Sequence, residues 1–234
     1  MFISKINNVL NPETLAKIRQ ITQASEFTDG RISGGNATNK NNLELSPETD
    51  KYVDVLKIIE QAVRSNVEFN LTAFPRAMTR PIISRYNVGM FYKEHVDLPV
   101  MGFMSAARGL ASAVGSNYVR SDLSMTLFLS DPSTYDGGEL SFDSPFGPMK
   151  IKLDAGSAVV YPTGARHQVL PVTRGVRQAA IFWIQTMFPI EAHRQAVHSA
   201  HRIMQRLGQV FPGSDEFVMA QDNFYNLSRI FAEV

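Results

Sequence analysis

Between Arg80 and Met187 the chain is written in short runs, several with apolar residues at alternate positions, and turn-forming residues separate the runs. The clearest is Asp122-Leu123-Ser124-Met125-Thr126-Leu127-Phe128-Leu129-Ser130. On an extended strand Leu123, Met125, Leu127 and Leu129 fall on one face, and Ser124, Thr126 and Phe128 on the other. Arg80–Val88 is extended, with Pro81 at its start. Asp136-Gly137-Gly138 turns into Glu139–Phe142, with glycines supplying the positive φ a tight turn needs. Asp154-Ala155-Gly156 turns into Ser157–Tyr161, and Val176–Met187 is a long run containing Ile181, Phe182, Trp183 and Ile184. Short strands between Gly- and Pro-rich turns predict a β-sandwich or jelly-roll core.

The period changes outside that stretch. Asn11-Pro12-Glu13 offers a capping side chain, a proline at the first helical position and an acid in the first turn. Leu15, Ile18 and Ile21 then predict a helix over about Pro12–Ala24. Ser46-Pro47-Glu48 repeats the start signal, with Val53, Leu56, Ile59 and Val63 as an apolar stripe to about Ser65. Between these helices Thr28–Asn36 and Asn39–Asn42 are rich in turn formers. Beyond Pro189, Ala192, Ala196, Ala200 and Ile203 form a helical strip up to Gly208. Phe211–Ser214 breaks it, and Phe217–Phe231 reads as a last helix. The predicted class is α+β with a mainly β core: residues 1–78 as a helical segment packed on the core, 79–188 as the jelly roll, 189–234 as a helical extension.

Composition narrows the function classes. The chain has 234 residues, 44% of them hydrophobic and 19% charged, so a sizeable core is expected. A net charge of +1 argues against charge-driven binding to nucleic acid or membrane surfaces. No cysteine is present, which excludes disulfides, thiolate metal sites and a cysteine nucleophile, and fits a reducing compartment. Met1–Asn8 turns polar too early for a signal peptide, and no apolar run is long enough to span a bilayer. The expectation is a soluble, cytoplasmic protein.

The chemistry is concentrated in His95-Val96-Asp97, which ends the stretch Ser84–Asp97. A histidine and a carboxylate two positions apart on an extended strand point to one side and can reach one ion. The third donor is His167, in Gly164-Ala165-Arg166-His167 after the turn at Tyr161-Pro162. Two histidines and one carboxylate cover one face of an octahedral ion, the facial triad of non-haem Fe(II) oxygenases. A keto-acid cosubstrate needs a cation for its far carboxylate. Arg177, at the start of the long β run, offers a fixed, always-charged fork.

These pieces resemble the Fe(II)- and 2-oxoglutarate-dependent dioxygenases of the prolyl-4-hydroxylase type, and most closely the bacterial PKHD-type hydroxylases. The matching segments are Arg85–Met90, His95-Val96-Asp97, Asp122-Leu123-Ser124, Thr126–Pro132, Tyr135–Leu140, Val160-Tyr161-Pro162, His167, and Pro171–Arg177 into Phe182–Gln185. Asp29-Gly30-Arg31 and Ser33-Gly34-Gly35 extend the likeness toward the N-terminus. The resemblance implies a double-stranded β-helix, with His95, Asp97 and His167 as iron ligands and catalytic centre. It implies Arg177 as the 2-oxoglutarate anchor, Tyr86 lining the cosubstrate pocket, and L-ascorbate as the helper that keeps iron reduced. The implied partners are 2-oxoglutarate, O2 and an unknown peptide or small-molecule substrate, a prolyl residue by analogy. Asp97 favours hydroxylation over halogenation, because related halogenases lack that carboxylate.

Other readings stay open at this stage. One is a metal-binding jelly roll with a binding or regulatory role; another is a zinc hydrolase on the same triad. Arg177 and Tyr86 speak against the first, and the absence of a further acid/base at a clear spacing against the second. Leu98–Ser121, with Gly102, Gly109 and Gly115, is longer than the family pattern supplies. It reads as an apolar cover carrying Val100, Met101, Phe103 and Met104, as an inert surface insertion, or as an extra helix over Ala106–Val114 packed on the barrel. Tyr92, an odd number of residues from His95, points away from the metal if the strand is uninterrupted. His198 and His201 read as a solvated helical face rather than a second metal site. Trp183, Phe182 and Phe128 could flank substrate, but aromatic residues on strands usually fill core. The C-terminal helices could supply an oligomer interface.

Overall fold

The computed structural model describes residues 3–31, 33–34, 38–102 and 118–233. Its frame is a large antiparallel sheet. The strand order is Ser4–Ile6, Ala158–Pro162, Leu123–Phe128, Arg177–Thr186, Ile82–Tyr86, Leu43–Leu45 and Phe27–Asp29, with Pro75–Met78 pairing the far end of Arg177–Thr186. A second sheet runs Met149–Ile151, Leu140–Phe142, His167–Val169, Phe91–His95 and Lys40–Asn41, also antiparallel.

The alternation read from the sequence decides what each face of the large sheet meets. Leu123, Met125, Leu127 and Leu129 join Ala180, Phe182 and Ile184 in the main core, against helices Pro12–Gln23, Tyr52–Ser65 and Val67–Ala73. On the other face, Phe128, Val159, Tyr161 and Tyr86 pack with Leu140, Phe142, Ile151 and Val169 from the second sheet. Ser124 and Thr126, polar yet buried, share that inner face. Two hydrophobic layers thus enclose the central strands, and the polar residues between the sheets are the ones left to form a site.

The first helix follows the sequence signal. Asn11 Oδ1 accepts from Thr14 N at 2.8 Å, and Leu15, Ile18 and Ile21 are buried. The second departs from it. Ser46 Oγ accepts from Glu48 N at 3.2 Å within a turn, and the helix begins only at Tyr52. Val53 is 51% exposed and lies off the stripe; Val55, Leu56, Ile59 and Val63 form its buried face. Helix Val67–Ala73 was unforeseen. It is capped by Asn66, which accepts from Phe69 N at 2.8 Å, and ended by Phe74 in the left-handed region. Residues 1–78 are therefore not simply a helical segment: five strands from this stretch belong to the two sheets. Strands of two to four residues carry too few positions to reveal a period.

The helices Glu191–Val210 and Asp215–Phe231 pack on one another and on Phe74 and Phe188. His198 and His201 lie inside that packing rather than on a solvated face. His198 Nδ1 donates to the Leu71 carbonyl at 2.9 Å, and His201, 9% exposed, meets the Phe224 ring edge-on. No helix among the described residues is long and apolar enough to cross a membrane.

Ile59 is fully buried where the second helix meets the sheet. Ile59→Ala is expected to lower unfolding stability by about 2–5 kcal/mol, whereas Val53→Ala should change it by about 0.5 kcal/mol or less. Urea denaturation of both variants checks the assignment of the buried stripe.

Candidate metal centre

His95 ends strand Phe91–His95, His167 opens strand His167–Val169, and the two are direct cross-strand partners. Asp97 follows in the segment beyond the strand end. His95 Nε2 lies 3.6 Å from Asp97 Oδ1, and His167 Nε2 lies 3.9 Å from Asp97 Oδ2. One donor atom from each residue lies within 4.8 Å of the other two. Donors this close can share one ion, because each metal–ligand bond is about 2 Å long. The structure thus brings together all three residues that the sequence singled out.

The backbone selects which nitrogens face the cluster. His95 Nδ1 is 2.8 Å from the Lys93 carbonyl oxygen, and His167 Nδ1 is 2.8 Å from that of Ala165. A carbonyl can only accept, so each Nδ1 donates to it, and Nε2 is the nitrogen left facing the cluster to bind an ion when the ring is neutral. Asp97 Oδ2 accepts from Ser124 Oγ at 2.7 Å, and Ser124 Oγ sits 3.1 Å from Thr163 Oγ1. These bonds orient the donors before any ion arrives.

Electrostatics favour an ionised Asp97 and a neutral His167. Burial pushes the Asp97 carboxyl up, but His95, the charge His167 carries when protonated, and the Ser124 hydroxyl together hold it below the usual carboxylate range. Burial holds His167 below the ordinary histidine value, with His95 adding to the effect and Asp97 opposing it. Near neutral pH the cluster is therefore an ionised carboxylate beside a neutral imidazole from His167.

Tyr92 corrects an expectation from simple alternation. His167 pairs with His95 but Val169 pairs with Tyr92, so Gln168 faces two residues, Lys93 and Glu94. That extra residue is a β-bulge, and it turns both Tyr92 and His95 inward. Their rings stack with centroids 3.6 Å apart and planes 14° from parallel. Burial pushes the Tyr92 phenol up to about 12, so it stays protonated.

Arg177 opens the long central strand and is 1% exposed. It pairs across the sheet with Tyr86, and its guanidinium carbon lies 5.1 Å from the Tyr86 ring and 5.6 Å from that of Phe128. None of the ion pairs among the described residues involves Arg177, and its Nε has no hydrogen-bond partner among them. A buried guanidinium is costly unless an anion meets it, and a ligand carboxylate answers that need. Gly138, at φ +65°, leaves it room: a Cβ there would stand 3.0 Å from Arg177 Cδ.

A cavity of about 290 Å³ joins these groups. His95, Asp97, His167, Arg177, Tyr86, Tyr161 and Thr126 line it together with Ile181 and Trp183. The Tyr161 hydroxyl is 3.5 Å from His167 Nε2, and burial keeps both the Tyr86 and Tyr161 phenols protonated. Trp183, read as core, is cavity wall, and its buried Nε1 has no partner among the described residues. Phe182 and Phe128 are core as expected. Ser33, Lys40 and Glu44 also line the cavity, and sequence reasoning missed them as site residues. The only signal was the family-like Asp29-Gly30-Arg31 and Ser33-Gly34-Gly35 beside them.

The stretch Leu98–Ser121 is described only at its ends. Val100–Met101 pairs with Val119–Arg120, and Leu98 and Met101 line the cavity. The expected apolar cover, with Phe103, Met104, Gly109 and Gly115, and the alternative helix over Ala106–Val114 lie outside the described residues.

The 2OG-Fe(II) oxygenase superfamily matches this chain over residues 81–185, the stretch that holds Tyr86, His95, Asp97, His167 and Arg177. Solved structures share the fold: a prolyl hydroxylase from Trichoplax adhaerens aligns with a TM-score of 0.56 at 15% identity, covering 78% of this chain and 82% of its own. HygX from Streptomyces hygroscopicus, solved with nickel and 2-oxoglutarate, aligns with a TM-score of 0.52 at 11% identity, covering 80% of this chain and 84% of its own. Curated relatives match almost end to end. A PKHD-type hydroxylase of Xanthomonas campestris pv. campestris is 36% identical over 98% of both chains, and one of Gluconacetobacter diazotrophicus is 39% identical over 96% of both. The chain belongs to the PKHD-type hydroxylases of the 2OG-Fe(II) oxygenase superfamily. It is an oxygenase, and the family supports Fe(II) and 2-oxoglutarate as its metal and cosubstrate.

Among the described residues Ser124 Oγ hydrogen-bonds Asp97 and no other member of the metal cluster. Ser124→Ala is expected to weaken Fe(II) binding about 10–100-fold with little loss of stability. Anaerobic equilibrium dialysis checks it; parent-like affinity means the hydroxyl does not orient the carboxylate.

Proposed function

We propose that this protein hydroxylates a C–H bond of an unidentified substrate on a double-stranded β-helix core, consuming 2-oxoglutarate and O2 and releasing succinate and CO2. One observation carries the reading: a three-donor cluster and a buried guanidinium without a carboxylate partner among the described residues line the same cavity. A bare metal store has no use for the guanidinium, and no further acid/base at a clear spacing supports a zinc hydrolase. Two antiparallel sheets with a shared apolar interior support the jelly-roll assignment.

His95, Asp97 and His167 fit Fe(II): two imidazole nitrogens and one carboxylate on one side of an ion, with their outer atoms already bonded. Iron, with 2-oxoglutarate and O2, supplies the oxidising power for oxygen insertion. The chain supplies orientation. Arg177 would hold the far carboxylate of 2-oxoglutarate, for which its guanidinium offers a fixed, charged fork. The Tyr86 ring lies 5.1 Å from that guanidinium carbon and would line the cosubstrate pocket. Leu140, Val169 and Ile181 give the cavity apolar walls that limit water around the reacting groups. The substrate is a prolyl residue or another amino-acid-like group, with L-ascorbate as the reductant that restores Fe(II). The lack of cysteine supports a cytoplasmic setting.

Anaerobic addition of Fe(II) and 2-oxoglutarate should produce the weak visible charge-transfer band of the chelate, and air should then yield succinate. His167→Ala and Asp97→Ala should each fail to retain stoichiometric iron after dialysis. Arg177→Lys keeps the charge but loses the fork, so 2-oxoglutarate binding should weaken by about 1–3 kcal/mol while iron binding stays. A parent protein that gives neither band nor succinate contradicts the reading. An Arg177→Lys variant with parent-like 2-oxoglutarate affinity removes Arg177 as the anchor.

A further inference from the structure

The iron- and cosubstrate-facing residues lie within the superfamily match, but part of the same cavity wall comes from outside it. Lys40 and Glu44 reach the cavity from the N-terminal strands Lys40–Asn41 and Leu43–Leu45. Lys40 is the cross-strand partner of Tyr92, and its ammonium lies 5.4 Å from that ring. The same ring stacks on His95. Glu44 is the partner of Ser84, two positions from Tyr86 on its strand. The pair therefore sits beside the reacting centre.

Lys40 Nζ donates to Glu44 Oε1 at 2.6 Å and to Ser33 Oγ at 2.7 Å, and Ser33 Oγ donates to the same Oε1 at 2.8 Å. The two side chains are only 7% and 14% exposed. Taking both charges out of water is costly, and an apolar pair of similar size generally holds a fold as well. A use in the cavity accounts for retaining them. An ammonium has three N–H groups and these bonds occupy two; Glu44 Oε2 takes part in none of them. Among the described residues the wall thus offers a third ammonium N–H beside a second carboxylate oxygen, with no net charge overall.

We propose that the Lys40–Glu44 pair is the polar part of the substrate subsite. It would read a group without net charge that carries an acceptor next to an N–H donor: an amide, or the zwitterionic head of an α-amino acid. This rests on the oxygenase reading above and deepens it. The curated relatives match across this N-terminal stretch as well, whereas the superfamily match begins at residue 81, which suits residues that select a substrate rather than run the common chemistry.

The test measures 2-oxoglutarate turnover as succinate release, stimulated by each standard L-amino acid in two arms: free, and as its N-acetyl amide. Stimulation in the first arm identifies the zwitterionic head, in the second the amide. Two variants follow: Lys40→Met with Glu44→Gln, which removes both charges together, and the reversed pair Lys40→Glu with Glu44→Lys. In at least one folded variant, kcat/KM for the stimulating compound should fall about tenfold or more, mainly through KM. The chelate band should still form, since a merely structural role would disturb the centre instead. Parent-like kcat/KM in every variant that folds overturns the proposal. So does a parent protein that shows the band and basal succinate but responds to neither arm. A parent without the band sinks the oxygenase reading itself, and failure of both variants to fold marks the pair as structural.

Discussion

Everything in the site depends on one cross-strand pairing, His95 with His167. These residues are far apart in the chain, and antiparallel register alone makes them neighbours. A one-residue slip would turn one histidine to the opposite face of the sheet. The register is held by the apolar interior between the sheets, where Leu140, Phe142 and Val169 meet Phe128, Val159 and Tyr161. Packing between the sheets thus fixes the spacing of the metal donors, and the helices on the outer face of the large sheet keep that sheet buried on both sides.

The cavity gathers charges that the fold by itself has little reason to bury. Arg177 is held between aromatic rings without a carboxylate among the described residues, while Lys40 and Glu44 neutralise one another. These are two electrostatic solutions within one wall. An unpaired buried cation selects an anionic ligand, and a paired cation and anion select a neutral, dipolar one. An oxygenase that must hold a dicarboxylate and a separate substrate at one metal needs both kinds of recognition.

The legible part of the site was the part written as residue types at fixed spacing. His95-Val96-Asp97, His167 and Arg177 could be read because metal ligation and carboxylate binding restrict which side chains serve. Ser124 could be placed on the inner face by alternation, but its bond to Asp97 depends on which strand lies opposite, which the sequence does not encode locally. Tyr92 was misplaced because one bulged residue reverses the alternation. Lys40 stood in a segment that read only as turns and Glu44 in a stretch without a reading, since strands of two and three residues leave no periodic trace. The main strands and terminal helices were recoverable because their apolar patterns run long enough to show a period.

One cavity is proposed to hold the metal on His95, Asp97 and His167 and the cosubstrate on Arg177. A crystal structure of the protein grown anaerobically with Fe(II) and 2-oxoglutarate tests this most directly. The account predicts one ion bound by Nε2 of both histidines and a carboxylate oxygen of Asp97, with the far carboxylate of 2-oxoglutarate in a bidentate pair with the Arg177 guanidinium. An ion bound elsewhere, or 2-oxoglutarate lying away from Arg177, contradicts it.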